Sequence, residues 1–311
     1  MNCLICFKFE VLFWICDYNL FQNVFIDRLI DILMKSDIVK RADKIISDIR
    51  SIKIQGAENV ARAGIRAFLL NPTRANAKKI VSIRATEPLL QNAIKILLAA
   101  ENKKDCAKVF LKELSNSHCL ISKFGGELIK GDMNVYTHCH SSTVIDILKE
   151  AKRRKRKFVV YTTEVEPALQ GRMTARDLEK IGIKIIVAPD LAMEQILKKC
   201  DLLLFGADAF TKTSVYNKIG TNVLCKIAKE HSIPRYTCGV SMKITDKVKI
   251  ERRSGKEVWD ERKKNIEVFY PAFDKVNYKL LSGVISEFGI LGPKTFVKKA
   301  EQKLKDMKKL S

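Results

Sequence analysis

Residues 133–164 read MNVYTHCHSSTVIDILKEAKRRKRKFVVYTTE. The apolar run Val135 to Cys139 has the length of a strand. Ser141 and Ser142 are good helix caps, and Val144 to Lys152 carry apolar residues at helical spacing. Phe158 to Thr163 is again short, β-branched and aromatic, so the stretch reads strand, helix, strand. The pattern continues downstream with runs at Ile183 to Ala188, Leu202 to Gly206, Arg235 to Val240 and Ile266 to Tyr270. Amphipathic segments of helix length, such as Thr174 to Ile181 and Lys218 to Glu230, lie between them. Strands alternating with helices predict a parallel sheet covered on both faces.

Upstream the period changes. From Met34 to about Gly125 apolar residues recur at helical spacing, as in Ile38, Ala42, Ile45 and Ile46, and again in Leu89, Ala93, Ile94 and Leu97. The expected organisation is a leader (1–33), a helical N-terminal domain (34–125) and an α/β C-terminal domain (126–311). The leader is foreign to the rest: it holds seven aromatics, three cysteines, two basic residues (Lys8, Arg28) and four acidic ones (Glu10, Asp17, Asp27, Asp31). Lys8, Glu10 and Asp17 interrupt its apolar run well short of the ~20 residues of a membrane span. A basic n-region and a small-residue cleavage site are missing, which argues against secretion. Met34 is therefore the expected working start, with a hydrophobic docking helix as the alternative.

The chain has 311 residues with 57 Lys and Arg against 35 acidic residues, a net charge of +22. Hydrophobic residues make up 47% and charged ones 30%, which excludes a disordered or fibrous protein. The positive field suits phosphates and other polyanions without choosing among them. Nine cysteines, an odd number without secreted-domain spacing, read as reduced thiols in a cytoplasmic protein. Cys3 and Cys6 form a C-x-x-C with no second pair, read as chance. The run Lys152 to Lys157 (KRRKRK) reads as a solvated helix end; nucleic-acid contact is the sharper and weaker alternative.

Open α/β sheets bind ligands at the carboxyl ends of their strands. There the sequence places Thr137-His138-Cys139-His140-Ser141, Thr163-Glu164, Asp190 and Gly206-Ala207-Asp208, so a polar crevice is expected. Alternation puts His138 and His140 on one face and Cys139 on the other, and no second cluster supplies a fourth ligand, which speaks against a metal site. Cys139 just before a helix N-terminus suits a low-pKa thiolate; a small buried hydrophobe is an equal alternative. Asp208, after the apolar run Leu202 to Phe205, suits acid/base work from a partly apolar floor. Asn217-Lys218-Ile219-Gly220-Thr221 is expected to open a long helix and offer an anion site.

Val160-Tyr161-Thr162-Thr163-Glu164, Leu169-Gln170-Gly171-Arg172, Gly206-Ala207-Asp208 and Val215-Tyr216-Asn217-Lys218-Ile219-Gly220-Thr221 together resemble one family. It unites the alpha, beta and delta regulatory subunits of eukaryotic initiation factor 2B with archaeal ribose-1,5-bisphosphate isomerase, and the resemblance runs from about Met34 to the C-terminus. It implies an α/β fold with a helical N-terminal domain and a Rossmann-like, parallel-sheet C-terminal domain. The isomerases are similar in having Thr-His-Cys-His-Ser and Gly-Ala-Asp, which implies that Cys139 and Asp208 are the catalytic pair. The regulatory subunits commonly replace that cysteine and carry Glu for the Asp. Phosphate or sugar contacts are implied for Arg84, Ser141, Asn217, Lys218 and Lys243, and for Gln55, Gly56 and Ala57. These last stand where the isomerases have Arg-Gly-x-Gly, so an arginine is lost and Glu58 adds a carboxylate. Ser142 stands where a lysine is common.

What the resemblance implies is conversion of ribose 1,5-bisphosphate to ribulose 1,5-bisphosphate in nucleotide-ribose (AMP) salvage. The proton transfers would pass between Cys139 and Asp208 and need neither metal nor redox cofactor. Homo-oligomerisation is implied too, with the positive surface serving a sugar bisphosphate and not nucleic acid or a membrane. The alternatives are a regulatory subunit that binds nucleotide or sugar phosphate without catalysis, and a methylthioribose-1-phosphate isomerase.

Overall fold

Among the described residues the helical spacing upstream of Gly125 folds into five helices. They are α1 (37–50), α2 (Ala57–Leu70), α3 (Arg74–Ile83), α4 (Pro88–Ala99) and α5 (Lys103–Leu128). The computed structural model describes residues 37–309 except 85, 251–252 and 262–263, so the expectations for the leader and for Met34 lie outside the described residues. Ala42, Ile46 and Ile49 bury one stripe of α1, and Leu89, Leu90, Ala93, Ile94 and Leu97 bury most of α4. Asn102 caps α5, its side chain accepting from the Asp105 amide at 3.1 Å. The expected division at 125/126 falls inside α5, which packs on α2 and α4 on one side and on the first helix of the sheet domain on the other.

Beyond α5 the strands and helices alternate. The order is β1 (Met133–His138), α6 (Ser142–Arg153), β2 (Phe158–Thr163), α7 (Gln170–Lys180), β3 (Ile185–Ala188), α8 (Met193–Leu197) and β4 (Leu202–Gly206). Then come β5 (Ala209–Phe210), β6 (Ser214–Lys218), α9 (Thr221–Glu230), β7 (Arg235–Cys238), β8 (Phe273–Asn277), β9 (Gly283–Ser286), β10 (Gly289–Leu291) and α10 (Pro293–Lys309). The main sheet runs β10-β9-β7-β4-β1-β2-β3, parallel throughout except for the β9–β10 hairpin. A small antiparallel sheet, β5-β6-β8, sits beside it.

Strand alternation assigns the two layers of core. Val135, Val160, Leu202 and Leu204 face the cluster that includes α5 and α6, while Tyr136, Leu203 and Phe205 face the cluster that includes α8, α9 and α10. This is the α/β architecture expected from the sequence, a helical N-terminal part on a Rossmann-like parallel sheet.

Two elements differ from expectation. Ile266 to Tyr270 pairs with no strand: it is an irregular segment in which Phe269 is 83% exposed, so its apolar character has no sheet to enter. Lys218 to Glu230 is not one helix, because Ser214–Lys218 is strand β6 and the helix begins at Thr221.

Chain order places the site. The chain moves from β1 outward to β2 and β3, then crosses to β4 on the other side of β1. The order reverses between β1 and β4, and connections leaving in opposite directions open a crevice at their carboxyl ends. His138 and Phe205 are register partners there, so the residues that follow each strand meet at its floor.

Candidate active site

A cleft of about 1200 Å³, its open mouth included, lies at this reversal. The sheet side contributes Cys139 and Ser141 after β1, Asp208 after β4, Asn217 and Lys218 from β6, and Lys243 after β7. The helical side contributes Gln55, Gly56 and Ala57 at the start of α2, and Arg84 after α3. The residues read as the catalytic pair and as phosphate or sugar contacts thus line one wall system, although they are scattered over the chain.

Cys139 leaves β1 with φ 69°, in the left-handed region that a non-glycine residue seldom adopts. Thr174 of α7 supports that conformation by donating from its hydroxyl to the Cys139 carbonyl at 2.9 Å. The thiol donates to Gln170 Oε1 at 3.2 Å. Gln170 opens α7, and the tight approach of that helix to β2 needs Gly171, because a Cβ there would stand 1.7 Å from the Thr163 carbonyl oxygen. Burial pushes the Cys139 thiol up to about 12; the Lys218 ammonium opposes the rise and the Asp208 charge adds to it. The resting group is therefore a thiol, not the low-pKa thiolate expected from its place before α6. The N-terminus of α6 is taken by Ser141, whose hydroxyl accepts from the Val144 amide, and desolvation outweighs what remains of its field.

Of the histidines flanking Cys139, His140 lines the cleft and His138 does not. His138 is buried with Nε2 at 2.8 Å from the Ile219 carbonyl, and burial lowers its pKa. His140 meets the Thr174 hydroxyl at 3.1 Å and Asp177 at 3.7 Å, and burial lowers its pKa as well. Among the described residues no group of three or more His, Cys, Asp or Glu side chains is arranged to hold a metal ion.

The cations of the cleft are differently engaged. Lys218 is 8% exposed, with its ammonium 5.5 Å from the Phe273 ring centroid. No carboxylate among the described residues lies within salt-bridge distance of it. Burying an ammonium without a counter-charge is costly, so an anion placed beside it is favoured. Lys243 is buried and donates to the Ala207 carbonyl, beside Asp208. Arg84 pairs with Glu87 at 3.1 Å.

Glu58, the carboxylate that enters this wall with α2, is held by Arg62 at 2.6 Å and His118 at 2.7 Å. Burial alone would raise its pKa, but His118 and then Arg62 outweigh that and hold it at about 2. Its charge is thus already balanced before any ligand arrives.

Three strand-end features do other work. Asp190 accepts from the amides of Val165 and Glu166 at 2.9 and 2.7 Å, and Glu164 pairs with Arg172, so both brace the loop after β2. The expected anion site at the start of α9 is filled from within: Asp274 accepts from the Gly220 and Asn222 amides, each at 2.9 Å. Gly220 itself has φ 96° and begins the helix. The basic run 152–157 ends α6, where Arg153 and Arg154 pair with Glu150 and Lys152 donates to the Ile181 and Gly182 carbonyls.

Sequence reasoning missed several lining residues. Arg253 and Tyr270 come from the irregular stretch before β8, His118 from mid-α5, and Gln170 was visible only inside its motif. Among the described residues no helix is long and apolar enough to cross a membrane.

A model described as the initiation factor 2 subunit family matches residues 34–293. A ribose 1,5-bisphosphate isomerase of Methanocaldococcus jannaschii is 30% identical over 291 residues, covering 84% of this chain and 94% of that protein. A putative translation initiation factor eIF-2B subunit 2-like protein of Pyrococcus horikoshii is 29% identical, covering 82% of this chain and 97% of that one. Among solved structures, the translation initiation factor eIF-2B of Pyrococcus horikoshii OT3 superposes with a TM-score of 0.76 at 27% identity. It covers 83% of this chain and 98% of that one.

Proposed function

Since the chain belongs to the initiation factor 2 subunit family, we propose that it is an aldose–ketose isomerase that converts ribose 1,5-bisphosphate to ribulose 1,5-bisphosphate in this cleft. The observation that carries the reading is the meeting of Cys139 and Asp208 at the β1/β4 reversal, with the buried ammonium of Lys218 felt at the thiol.

The reaction moves protons and leaves the carbon count and oxidation balance unchanged. Asp208 donates a proton to the ring oxygen as the bond from that oxygen to C1 opens. Cys139 sulfur takes the proton from C2, giving an enol between C1 and C2. The sulfur returns that proton at C1 while Asp208 accepts the proton of the C2 hydroxyl, leaving the ketone. Each group ends as it began.

The cycle starts from a thiolate beside a carboxylic acid, which holds the same number of protons as a thiol beside a carboxylate. Burial, the largest cause of the raised thiol pKa, persists, but shifting one proton from Cys139 to Asp208 removes the carboxylate charge that adds to it and leaves the Lys218 charge that opposes it. Phosphate is drawn to Lys218, with Arg84, Ser141, Asn217 and the α2 start as further contacts.

A second reading is favoured by one observation: Gln55 brings no cation to the α2 wall and the Glu58 charge there is already matched. A singly phosphorylated aldose such as 5-methylthioribose 1-phosphate asks less of that wall. Measuring kcat/KM for the two sugars on the purified protein separates the readings. The proposal expects the bisphosphate to be preferred; preference for the monophosphate overturns the substrate, and binding of both with turnover of neither makes the chain a binding subunit.

A further inference from the structure

Lys243 owes its position to side chains that never reach the cleft. It ends a single 3₁₀ turn, Ser241–Lys243, that follows β7. Asn92 of α4 donates from Nδ2 to the Met242 and Ile244 carbonyls at 2.8 and 2.9 Å. On the other side stands Glu287, just after β9, with its side chain 3% exposed. One Glu287 oxygen accepts from the Ser241 amide at 3.0 Å; the other takes the Ser241 hydroxyl and the Lys303 ammonium, the latter at 2.9 Å. Lys303, from α10, also reaches the Ser117 hydroxyl at 3.2 Å and Glu113 at 3.5 Å.

A buried carboxylate is tolerated only when its oxygens are matched, as these are. Ordinary apolar packing would dock α10 as well, and it would leave the Ser241 amide and hydroxyl without a partner on this side of the turn. A charge that grips both the amide and the hydroxyl of Ser241 fixes the direction in which the side chain two residues on departs. That side chain crosses to the Ala207 carbonyl, in the peptide before Asp208.

We infer that Glu287 is a positioning residue which, opposite Asn92, locks the Ser241–Lys243 turn so that Lys243 bridges to Ala207 and orients Asp208. The inference rests on the reading of the cleft as the reacting site.

Two readouts test it, on Glu287→Gln and on the milder Ser241→Ala, which removes only the hydroxyl contact. The first needs no activity: native protein is acetylated with an N-hydroxysuccinimide ester and each lysine is followed by peptide mass spectrometry. Lys243 should be protected relative to exposed Lys108 in the wild type and should label roughly tenfold faster in folded Glu287→Gln, the loss of a charge-assisted contact. Lys218 labelling should not change. The second is a cycle in kcat/KM, in which Glu287→Gln should cost roughly tenfold with Lys243 present and less than about twofold in a Lys243→Met background.

Unchanged Lys243 labelling in either folded variant, or equal losses in both backgrounds, overturns the inference. If Glu287→Gln does not fold, Ser241→Ala carries both readouts with smaller effects of the same sign. If the wild type turns over no sugar phosphate, the proposed function fails and the labelling result still decides the positioning role.

Discussion

Cys139 combines a left-handed backbone, a hydrogen bond to Gln170 and a thiol held protonated by burial. Free protein should therefore alkylate slowly at this position. With iodoacetamide at pH 8, exposed Cys119 should react well before Cys139, and the Cys139 rate should go on climbing above pH 10. A Cys139 rate that levels off near pH 7 would show a low-pKa thiolate and contradict a thiol that rests protonated. Cys139→Ser and Asp208→Asn should each lower kcat by about 10²–10⁴, the usual worth of a positioned proton donor or acceptor, while sugar phosphate still raises the melting temperature. Lys218→Met should act mainly on KM, by roughly tenfold or more, because the phosphate charge it meets is present in ground and transition states alike. A variant that keeps KM and loses kcat would move Lys218 from phosphate binding into the chemistry.

At the scale of elements, what was legible was what burial dictates. Leu202–Gly206 is fully buried and Phe158–Thr163 half-buried between two layers of helix, and their short apolar runs gave their limits correctly. Strand β6 was hidden because it is built of cleft residues: Asn217 and Lys218 put an amide and a cation where a core strand normally shows aliphatics, and the polarity read as a helix start. Ile266 to Tyr270 failed in the opposite way, since apolar content marks a strand only if a neighbour is there to bond it. Helix α9 was expected to offer free amides, and Asp274, over fifty residues away in sequence, fills them. Asp274→Ala should thus destabilise the fold by about 1–2 kcal/mol in urea unfolding; no change in midpoint would mean that the cap is exchangeable with water. Gln55→Arg should tighten a bisphosphate by roughly 1.5–3 kcal/mol, and Glu58 should not divert the new guanidinium because Arg62 and His118 already occupy it. Unchanged affinity in calorimetry would place the second phosphate away from α2.

For the whole molecule, burial of thiols sets an alkaline limit. Cys200, Cys225 and Cys238 are buried and each is pushed up to about 12 from an ordinary value near 9, in each case first by desolvation. Between those values the folded chain keeps protons that the unfolded chain has lost. Stability should be insensitive to this effect below about pH 9 and should fall as pH rises towards 12, by up to about 1.4 kcal/mol per pH unit for each thiol. A urea midpoint that stays level from pH 8 to pH 10.5 would contradict it. The central claim, that one cleft built from both halves of the chain isomerises ribose 1,5-bisphosphate through Cys139, has a single direct test. Wild type and Cys139→Ser are incubated side by side with ribose 1,5-bisphosphate and the sugar is followed by NMR. Ribulose 1,5-bisphosphate should accumulate with the wild type and not with the variant, although the substrate stabilises both against heat; equal ketose formation by the two, or none by the wild type, would contradict isomerisation through Cys139.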